Sequence, residues 1–309
     1  MSDLAVEVHG LKKSYGQLEA VKGIDLTVRE GEVFSLLGPN GAGKTTTVEI
    51  LEGHRKRSAG EVSVLGFDPA KKERAFWESI GIVLQETGVE PYLTVEEVIE
   101  LYRGYYPDPL PLDEIIEIVE LNEKRKERVR RLSGGQQRRL DVAIGLAGNP
   151  RLLFLDEPTT GFDPSARRNA WKMIDNLRST GKTIVLTTHY MDEAQLLADH
   201  LAIIVAGSIV AEGTPSGLIS SQYASTKIEF VLPEGEHELP SNLRSQAARA
   251  RDSIVLSSDD PMRALHELTG WALEQRVQLE GLTVTKPSLE DVYLKLTGSA
   301  YGQASGSHE

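Results

Sequence analysis

The segment 38–45 restricts the fold of this chain more than any other part of the sequence, because it reads GPNGAGKT. This order matches the phosphate-binding pattern G-x-x-x-x-G-K-[ST], in which backbone amides surround phosphate oxygens at the N-terminus of a helix. The apolar run 33–37 precedes the segment and a helical pattern over 44–52 follows it, as the motif requires. The alternative is a glycine-rich strand–helix turn that carries a lysine by chance. The sequence therefore predicts a strand, a phosphate-binding turn and a helix in succession.

Each position of this loop has an expected task. Lys44 should reach the β- and γ-phosphates of a nucleotide, and we count it as both a binding and a catalytic residue. Thr45 should bind Mg²⁺ through its hydroxyl oxygen, and Thr46 should add a phosphate contact. The remaining loop residues that we expect to contact the nucleotide are Gly38, Asn40, Gly41 and Gly43.

A second feature is a pair of carboxylates, Asp156 and Glu157, at the end of the apolar run 152–155. The end of such a strand is the sheet edge at which open α/β folds bind their ligands. Successive strand residues point to opposite faces, so the two carboxylates should have different tasks. Phosphoryl transfer needs a carboxylate near Mg²⁺ and a group that orients or deprotonates the attacking water. We expect Asp156 to bind the metal and Glu157 to act on the water.

A third feature is the sequence LSGGQ at 132–136, which places Ser133 before a helix with an apolar face of Leu140, Ile144 and Ala147. Ser133 can cap that helix, and the two glycines leave backbone amides open to an anion. The chain thus has two helix N-termini suited to phosphate, of which only one carries a lysine.

Together these three features resemble the ATP-binding cassette of ABC transporters, over roughly residues 4–220. The resemblance implies an α/β P-loop NTPase fold with a mostly parallel core sheet, an antiparallel β subdomain and a helical subdomain at about 86–150. It also implies that two cassettes bind two ATP molecules between them, head to tail. Ser133, Gly135 and Gln136 would then contact the nucleotide that is held by the phosphate loop of the partner cassette.

Four further residues resemble functional positions of that family. Tyr15 resembles the aromatic residue that stacks on adenine, with a strand-end tyrosine as the alternative. Gln85 resembles the glutamine that links Mg²⁺ and the water to the helical subdomain, and we count it as catalytic and metal-binding. Asp163 resembles an aspartate at the dimer interface or, alternatively, caps the helix that follows it, while Phe162 replaces the more usual leucine. His189 resembles the switch histidine that contacts the γ-phosphate and is counted as catalytic.

Composition and hydropathy argue against several classes of function. The net charge of −12 argues against a protein that coats nucleic acid, and the absence of cysteine excludes disulfides and thiolate metal sites. No apolar run approaches the ~20 residues that cross a bilayer, and the N-terminus lacks the pattern of a signal peptide. We therefore expect a cytoplasmic chain that reaches the inner face of the membrane only through a partner. The basic run 124–131 is interpreted as a solvated face, with nucleotide phosphates or the anionic leaflet as its alternative partners.

The sequence pattern changes after the cassette, which we place at 1–222. New strand and helix patterns follow, so we interpret 223–298 as a small separate α/β domain and 299–309 as a disordered tail. The segments 189–194 (HYMDEA) and 288–298 (SLEDVYLKLTG) resemble ABC-2-type exporters, including the daunorubicin-resistance branch.

This resemblance implies an ATPase subunit that powers a separate membrane permease, with ATP and Mg²⁺ as cofactors and a second cassette as partner. The complete set of motifs favours a homodimer over a paralogous pair. One alternative is a sugar-importer ATPase, whose C-terminal region is usually a longer regulatory barrel. The other is a soluble cassette of DNA repair or translation, which usually carries coiled-coil insertions or two cassettes. We expect no nucleic-acid partner, because no aromatic platform or known binding module accompanies the basic run.

Overall fold

The chain divides into two compact units, Met1–Pro215 and Ser216–Glu309. The division falls a few residues before the boundary expected after residue 222, because the short helix that begins at Pro215 groups with the second unit. The structure is a computed structural model that describes residues 4–83, 88–220, 225–233, 238–250 and 253–304.

Strands and helices alternate along the first unit. The strands predicted at 33–37, 152–155 and 183–188 and the helix predicted at 44–52 are present, with ends shifted by at most one residue. In chain order the elements are β1 (Leu4–Tyr15), β2 (Leu18–Arg29), β3 (Val33–Leu37), α1 (Lys44–Leu51), β4 (Ala59–Val64), α2 (Arg74–Ser79), β5 (Ile80–Val83), α3 (Val95–Arg103), α4 (Leu112–Ile118), α5 (Gly134–Leu146), β6 (Leu152–Asp156), α6 (Pro164–Ser179), β7 (Thr183–Thr188), α7 (Met191–Leu197), β8 (His200–Val205) and β9 (Ser208–Gly213). The short helix α8 (Pro215–Ile219) follows and begins the second unit.

A six-stranded sheet of order β5-β6-β7-β3-β8-β9 forms the centre of this unit. All neighbouring strands are parallel except β8 and β9, which confirms the predicted mostly parallel core. Every residue of β3 and β7 is buried, as is typical of central strands in a parallel sheet. Because the carboxyl ends of parallel strands meet at one edge, the residues that follow β3, β6 and β7 come together there.

A second sheet, of order β2-β1-β4, is antiparallel throughout and corresponds to the predicted β subdomain. Its strands β1 and β2 form a hairpin in which Tyr15 pairs with Leu18 next to the turn. Apolar residues of this sheet, such as Val6 and Val8, are fully buried in one core with residues of α1 and β3. The hairpin therefore holds Tyr15 at its tip, on the same unit as the phosphate loop.

Helices α3, α4 and α5 form the helical subdomain that was predicted at about 86–150. The spacing of Thr94 and Glu97 predicts a capping box at the start of α3, and the structure contains it. The Thr94 N–H donates to Glu97 Oε2 at 2.8 Å, and the Glu97 N–H donates to Thr94 Oγ1 at 3.3 Å. Buried side chains such as Ile115 and Leu140 join the three helices in one apolar core.

The basic run 124–131 belongs to this subdomain. Arg125 forms ion pairs with Glu96 at 2.7 Å and with Asp113 at 2.6 Å. Pairing with carboxylates of its own subdomain favours the interpretation of this run as a solvated face.

The second unit contains an antiparallel sheet of order β11-β12-β10-β13. Ile228, Phe230, Leu256 and Leu268 are wholly buried and form the centre of its core. Strand β11 was not predicted, because its sequence AARA lacks the β-branched and aromatic residues that mark strands. The elements are β10 (Thr226–Val231), α9 (Ser241–Arg244), β11 (Ala247–Ala250), β12 (Ser253–Ser258), α10 (Pro261–Gln275), β13 (Glu280–Thr285) and α11 (Leu289–Ala304).

The last helix, α11, continues further than the sequence suggested. A disordered tail is predicted for 299–309, but the backbone is helical up to Ala304, since no proline interrupts the segment. Residues 305–309 lie outside the described residues. Across the described part of the chain, no helix combines the length and the apolar character that spanning a bilayer requires.

Candidate functional site

The segment 38–45 forms the predicted turn between β3 and α1. Its first and last glycines are required by packing within the chain. A Cβ at Gly38 would lie 2.4 Å from the carbonyl oxygen of Ile204, and a Cβ at Gly43 would lie 2.6 Å from that of Ala20. Gly43 also has a φ of +107°, which disfavours any residue with a side chain. The loop is therefore fixed against its neighbours, with the N-terminus of α1 at its end, where the helix dipole favours an anion.

The residues of the loop that were predicted to contact the ligand differ in their exposure. Asn40, Gly41 and Thr45 are exposed, and Thr46 is half-buried. Gly41 has a φ of +78°, which bends the turn outwards without the steric penalty of a side chain. The hydroxyl of Thr45 and the amides at the tip of the turn are thus open to a ligand.

Lys44 is the buried cation of this loop, with only 4% of its surface exposed. Its Nζ donates to the carbonyl oxygens of Gly38 at 2.9 Å and Pro39 at 3.3 Å. The same Nζ lies 3.4 Å from Glu157 Oε1. The loop lysine and the carboxylate that follows β6 therefore meet at the carboxyl edge of the sheet.

Asp156 is oriented by Thr187 of the neighbouring strand β7. The Thr187 Oγ1 donates to Asp156 Oδ1 and accepts a hydrogen bond from the Glu157 N–H at 3.0 Å. One hydroxyl thus fixes both the metal-ligand candidate and the backbone of the residue after it. The sequence placed Thr187 in a strand but gave no reason to assign it this task.

Glu157 has an unusual backbone conformation and a dense set of polar neighbours. Its φ of +46° lies in the left-handed region, which residues other than glycine rarely adopt. Its Oε2 accepts a hydrogen bond from Thr160 Oγ1 at 3.0 Å. Burial raises the pKa of Glu157, but the charge of Lys44, this hydrogen bond and His189 together outweigh burial and hold the pKa below its ordinary value. The carboxylate is therefore ionised at neutral pH.

His189 follows β7, as predicted, and its Nδ1 lies 3.4 Å from Glu157 Oε2. This nitrogen is buried, and no group within the described ranges forms a hydrogen bond with it. The imidazole packs on the ring of Tyr190, with ring centroids 4.1 Å apart. The structure thus places Lys44 beside one oxygen of the Glu157 carboxylate and His189 beside the other.

The LSGGQ segment forms a capping box at the start of α5. Ser133 Oγ accepts from the Gln136 N–H at 3.3 Å, and the Ser133 N–H donates to Gln136 Oε1 at 3.0 Å. A Cβ at Gly134 would meet nothing within 4 Å among the described residues, and one at Gly135 would meet only Ala166 Cβ at 3.9 Å. Unlike Gly38 and Gly43 of the phosphate loop, these two glycines are not required by packing within the described chain.

A groove of about 950 Å³ runs past this helix start. Ser133, Gly135, Gln136 and Asp163 all line it. Of the described residues that line the groove, none belongs to the segment 38–45. The groove at the second anion-suited helix start is therefore distinct from the lysine-bearing loop of the same chain.

Asp163 caps helix α6, which was the alternative interpretation of this residue. Its Oδ1 accepts from the N–H groups of Ala166 at 2.9 Å and Ser165 at 2.8 Å. These two hydrogen bonds lower the pKa of Asp163. The cap leaves the interface assignment of Asp163 as a prediction.

Tyr15 presents an accessible ring, with 39% of its surface exposed. Two cations flank the ring: Lys13 Nζ lies 4.9 Å and Arg55 Cζ lies 5.4 Å from the ring centroid. An exposed aromatic face is compatible with stacking on a base. Gln85, the remaining predicted site residue, lies outside the described residues.

The sequence reasoning missed a buried carboxylate, Glu193, beside the site. Glu193 is completely buried, and its Oε1 accepts hydrogen bonds from Thr159 Oγ1 at 2.8 Å and Trp171 Nε1 at 3.0 Å. Burial raises the pKa of Glu193, and hydrogen bonds from Thr188, Thr159 and Trp171 oppose that effect. It lies in the segment HYMDEA, but nothing in that segment distinguishes a buried acid from an exposed one.

A second missed residue is Arg138 on α5, which is only 7% exposed. Burial lowers the pKa of its guanidinium, and Asp141, Asp156 and Glu193 oppose that effect. Its position just after LSGGQ was the one signal that could have drawn attention to it.

The mostly parallel sheet, the glycine-rich loop with its lysine and the adjacent carboxylates define the chain as a P-loop ATPase. Comparison with known proteins identifies the family. Residues 21–160 match the family described as ABC transporter, and residues 226–288 match the ABC transporter domain-containing protein-like, C-terminal domain. The chain is 38% identical to the Nod factor export ATP-binding protein I of Rhizobium sp. (strain N33), over 96% of this chain and 98% of that protein. It is 36% identical to the daunorubicin resistance ATP-binding protein DrrA3 of Streptomyces coeruleorubidus, over 96% and 97% respectively.

Solved structures of ABC transporter cassettes share the fold of this chain. CbiO1 from Clostridium perfringens, part of the ABC transporter complex CbiONQ, matches with a TM-score of 0.64 and 28% identity, over 72% of this chain and 92% of that one. The ATP-binding cassette MJ0796, in a dimeric post-hydrolysis state bound to ADP and phosphate, matches with a TM-score of 0.60 and 27% identity, over 68% and 98%. The chain belongs to the ABC transporter family and is an ATP-binding subunit with ATPase activity.

Proposed function

We propose that this chain is the ATP-hydrolysing subunit of an exporter and that it powers a separate membrane permease. Two groups of relatives support this proposal: their names state Nod factor export and daunorubicin resistance, and they match over 96% of the chain. We therefore propose a drug-like or lipid-like cargo of the ABC-2 exporter class. The chain would work in the cytoplasm, on the inner face of the membrane, where the permease holds it.

The two glycines Gly134 and Gly135 are the main structural support for a mechanism that needs two chains. Both residues lie in the first turn of α5, and packing within the described chain does not require glycine at either position. The two residues line the groove beside α5. Their exposed amides suit the phosphates of an ATP molecule that is held by the phosphate loop of a second copy. The relative that was solved as a dimer bound to ADP and phosphate supports the pairing of two cassettes.

The donor atoms at the sheet edge fit Mg²⁺, which prefers hard oxygen ligands. Thr45 offers an exposed hydroxyl and Asp156 a half-buried carboxylate that Thr187 orients. We assign Thr45, Asp156 and Gln85 to the ion, which would neutralise charge on the β- and γ-phosphates.

Glu157 is the residue that we assign to the attacking water. Its lowered pKa keeps it ionised at neutral pH, so it can accept a hydrogen bond and then a proton from water. Lys44 and His189 approach its two oxygens from different sides, and we assign both to the γ-phosphate. Tyr15 is assigned to the adenine ring.

The test compares Glu157→Gln with Asp156→Asn. Glu157→Gln should slow hydrolysis by about 10²–10⁴-fold and preserve Mg·ATP binding, because the phosphate loop is unchanged. Asp156→Asn should weaken Mg²⁺-dependent binding as well as turnover. Hydrolysis is followed by phosphate release, and binding by equilibrium dialysis with and without Mg²⁺. Asp175→Asn, an exposed carboxylate on α6, is the control and should change neither.

Light scattering of the Glu157→Gln chain with saturating ATP tests the dimer. Dimerisation should increase with ATP, because a ligand that binds only the paired state stabilises it. Normal hydrolysis by Glu157→Gln, or loss of ATP binding by a folded variant, would overturn the assignment of the two carboxylates. A chain that stays monomeric under saturating ATP would contradict the composite site.

A further inference from the structure

Arg138 lies two residues after LSGGQ on α5, yet its side chain is directed into the protein rather than towards a partner. Its Nη2 donates to the carbonyl oxygen of Asp156 at 3.1 Å, and its Nε donates to that of Pro158 at 3.3 Å. These carbonyls belong to the residues that immediately precede and follow Glu157. The third nitrogen, Nη1, lies 3.8 Å from Asp141 Oδ2, one turn further along α5.

The backbone that Arg138 contacts is strained. Glu157 has a φ of +46°, a conformation that a non-glycine residue keeps only when its surroundings hold it. Thr187 holds this turn from β7 through the Glu157 N–H, and Arg138 holds it from α5 through the two flanking carbonyls. A movement of α5 along the direction of these hydrogen bonds must therefore displace the turn or break them.

The two ends of this connection serve different nucleotides in the head-to-tail dimer proposed above. The start of α5 contacts the ATP that the partner cassette holds, whereas Glu157 acts on the ATP that this chain holds. We propose that Arg138 is a positioning residue that couples the two ATP sites, by tying the position of α5 to the position of Glu157. Occupation of one site would then align the carboxylate of the other. This inference rests on the proposed function, because it needs two cassettes that share two nucleotides.

Arg138→Lys is the variant that tests the coupling. Lysine keeps the positive charge but cannot donate to two carbonyls in the fixed geometry of a guanidinium. Arg103→Lys is the matched control, because Arg103 on α3 donates to the carbonyl of Leu110 at 2.7 Å, inside the helical subdomain, and does not line the groove beside α5. Both changes replace arginine by lysine within a helix, so the net charge stays the same and helix propensity changes little.

The measurement is the ATP dependence of hydrolysis by the purified full-length chain with Mg²⁺. Coupled sites in a dimer give a Hill coefficient above 1 and up to about 2. Arg138→Lys should reduce it to about 1 and lower kcat about three- to tenfold, whereas Arg103→Lys should keep the wild-type values. A residue that merely supports the fold would lower the amount of active protein without changing the Hill coefficient. If Arg138→Lys does not fold, Arg138→Gln, which keeps one donor, should show the same loss.

An unchanged Hill coefficient in the folded Arg138 variants would overturn this inference, and so would an equal decrease in Arg103→Lys. Light scattering of Glu157→Gln with ATP separates this failure from failure of the proposed function. If that variant still dimerises with ATP, only the role of Arg138 is refuted. If it does not dimerise, the shared sites themselves are refuted.

Discussion

The buried carboxyl group of Glu52 should make the protein less stable as the pH rises. It is the residue at the C-terminal end of α1, only 3% of its surface is exposed, and its Oε2 lies 3.3 Å from His54 Nδ1. Burial, and then the negative charges of Asp156 and Glu49, raises its pKa from the ordinary 4.5 to about 8. A negative charge at the end of a helix is also opposed by the helix dipole. At neutral pH the folded chain therefore keeps this carboxyl group protonated.

Whether stability rises or falls with pH depends on which form of the chain, folded or unfolded, keeps the proton of Glu52 at a given pH. Below pH 4.5 the group is protonated in both the folded and the unfolded chain. Between pH 4.5 and about 8 the unfolded chain releases the proton and the folded chain retains it, so stability falls as the pH rises. The slope is about 1.4 kcal/mol per pH unit, which gives a loss of about 4 kcal/mol between pH 5 and pH 8.

Glu52→Gln removes this proton without changing the shape of the side chain. The free energy of unfolding of the variant, relative to the wild type, should therefore rise by about 4 kcal/mol between pH 5 and pH 8. Urea denaturation at several pH values, followed by tryptophan fluorescence, measures the difference; Trp77 packs on His54, 5.3 Å between ring centroids, and reports on this region. Glu49→Gln, the nearby carboxylate that pairs with Arg55, is the control and should not change the slope by a comparable amount. Parallel stability curves for Glu52→Gln and the wild type would refute the reasoning, because they would mean that Glu52 is charged in the folded chain.

Three further predictions concern Lys44, Glu193 and the deletion of residues 223–309. Lys44→Ala should abolish hydrolysis and greatly weaken ATP binding, because the triphosphate loses the buried cation of the loop; near-normal turnover would contradict the loop assignment. Glu193→Ala should destabilise the fold by about 2–5 kcal/mol in thermal denaturation, since Thr159 and Trp171 each lose an acceptor, while Glu193→Gln keeps an acceptor and should cost clearly less. An equal loss in both variants would contradict this account. Deletion of 223–309 should leave ATP binding intact, as equilibrium dialysis can check, and a folded truncation that fails to bind would show that the unit contributes to the site.

The catalytic edge of the sheet could be predicted because its residues follow strands directly. The segment 38–45, the carboxylates at 156–157 and His189 each follow an apolar run, and a mostly parallel sheet brings the ends of such runs to one edge. Sequence adjacency was therefore enough to place them near one another. The roles of these residues stay predictions, as do those of Tyr15, Asp163 and Gln85, the last of which lies outside the described residues.

The buried polar contacts behind this edge could not be predicted. Arg138, Glu193 and Glu52 are charged residue types that normally lie on the surface, and local sequence gives no sign of their burial. Their partners are distant in sequence: Glu193 accepts from residues 22 and 34 positions away, and Arg138 donates to carbonyls 18 and 20 positions away. Such pairs depend on how helices pack on the sheet, which periodicity alone does not specify.

These long-range contacts converge on the turn after β6, and that convergence explains how the turn can be strained and still well defined. Thr187 fixes it from β7, Arg138 from α5 and Glu193 from α7 through Thr159. A left-handed glutamate costs of the order of 1–3 kcal/mol, which several buried hydrogen bonds of about 1 kcal/mol each can offset. The conformation turns Glu157 away from the strand direction, so that its carboxylate lies between Lys44 and His189. The surrounding helices therefore do more than cover the sheet: they hold the one carboxylate whose position the proposed chemistry depends on.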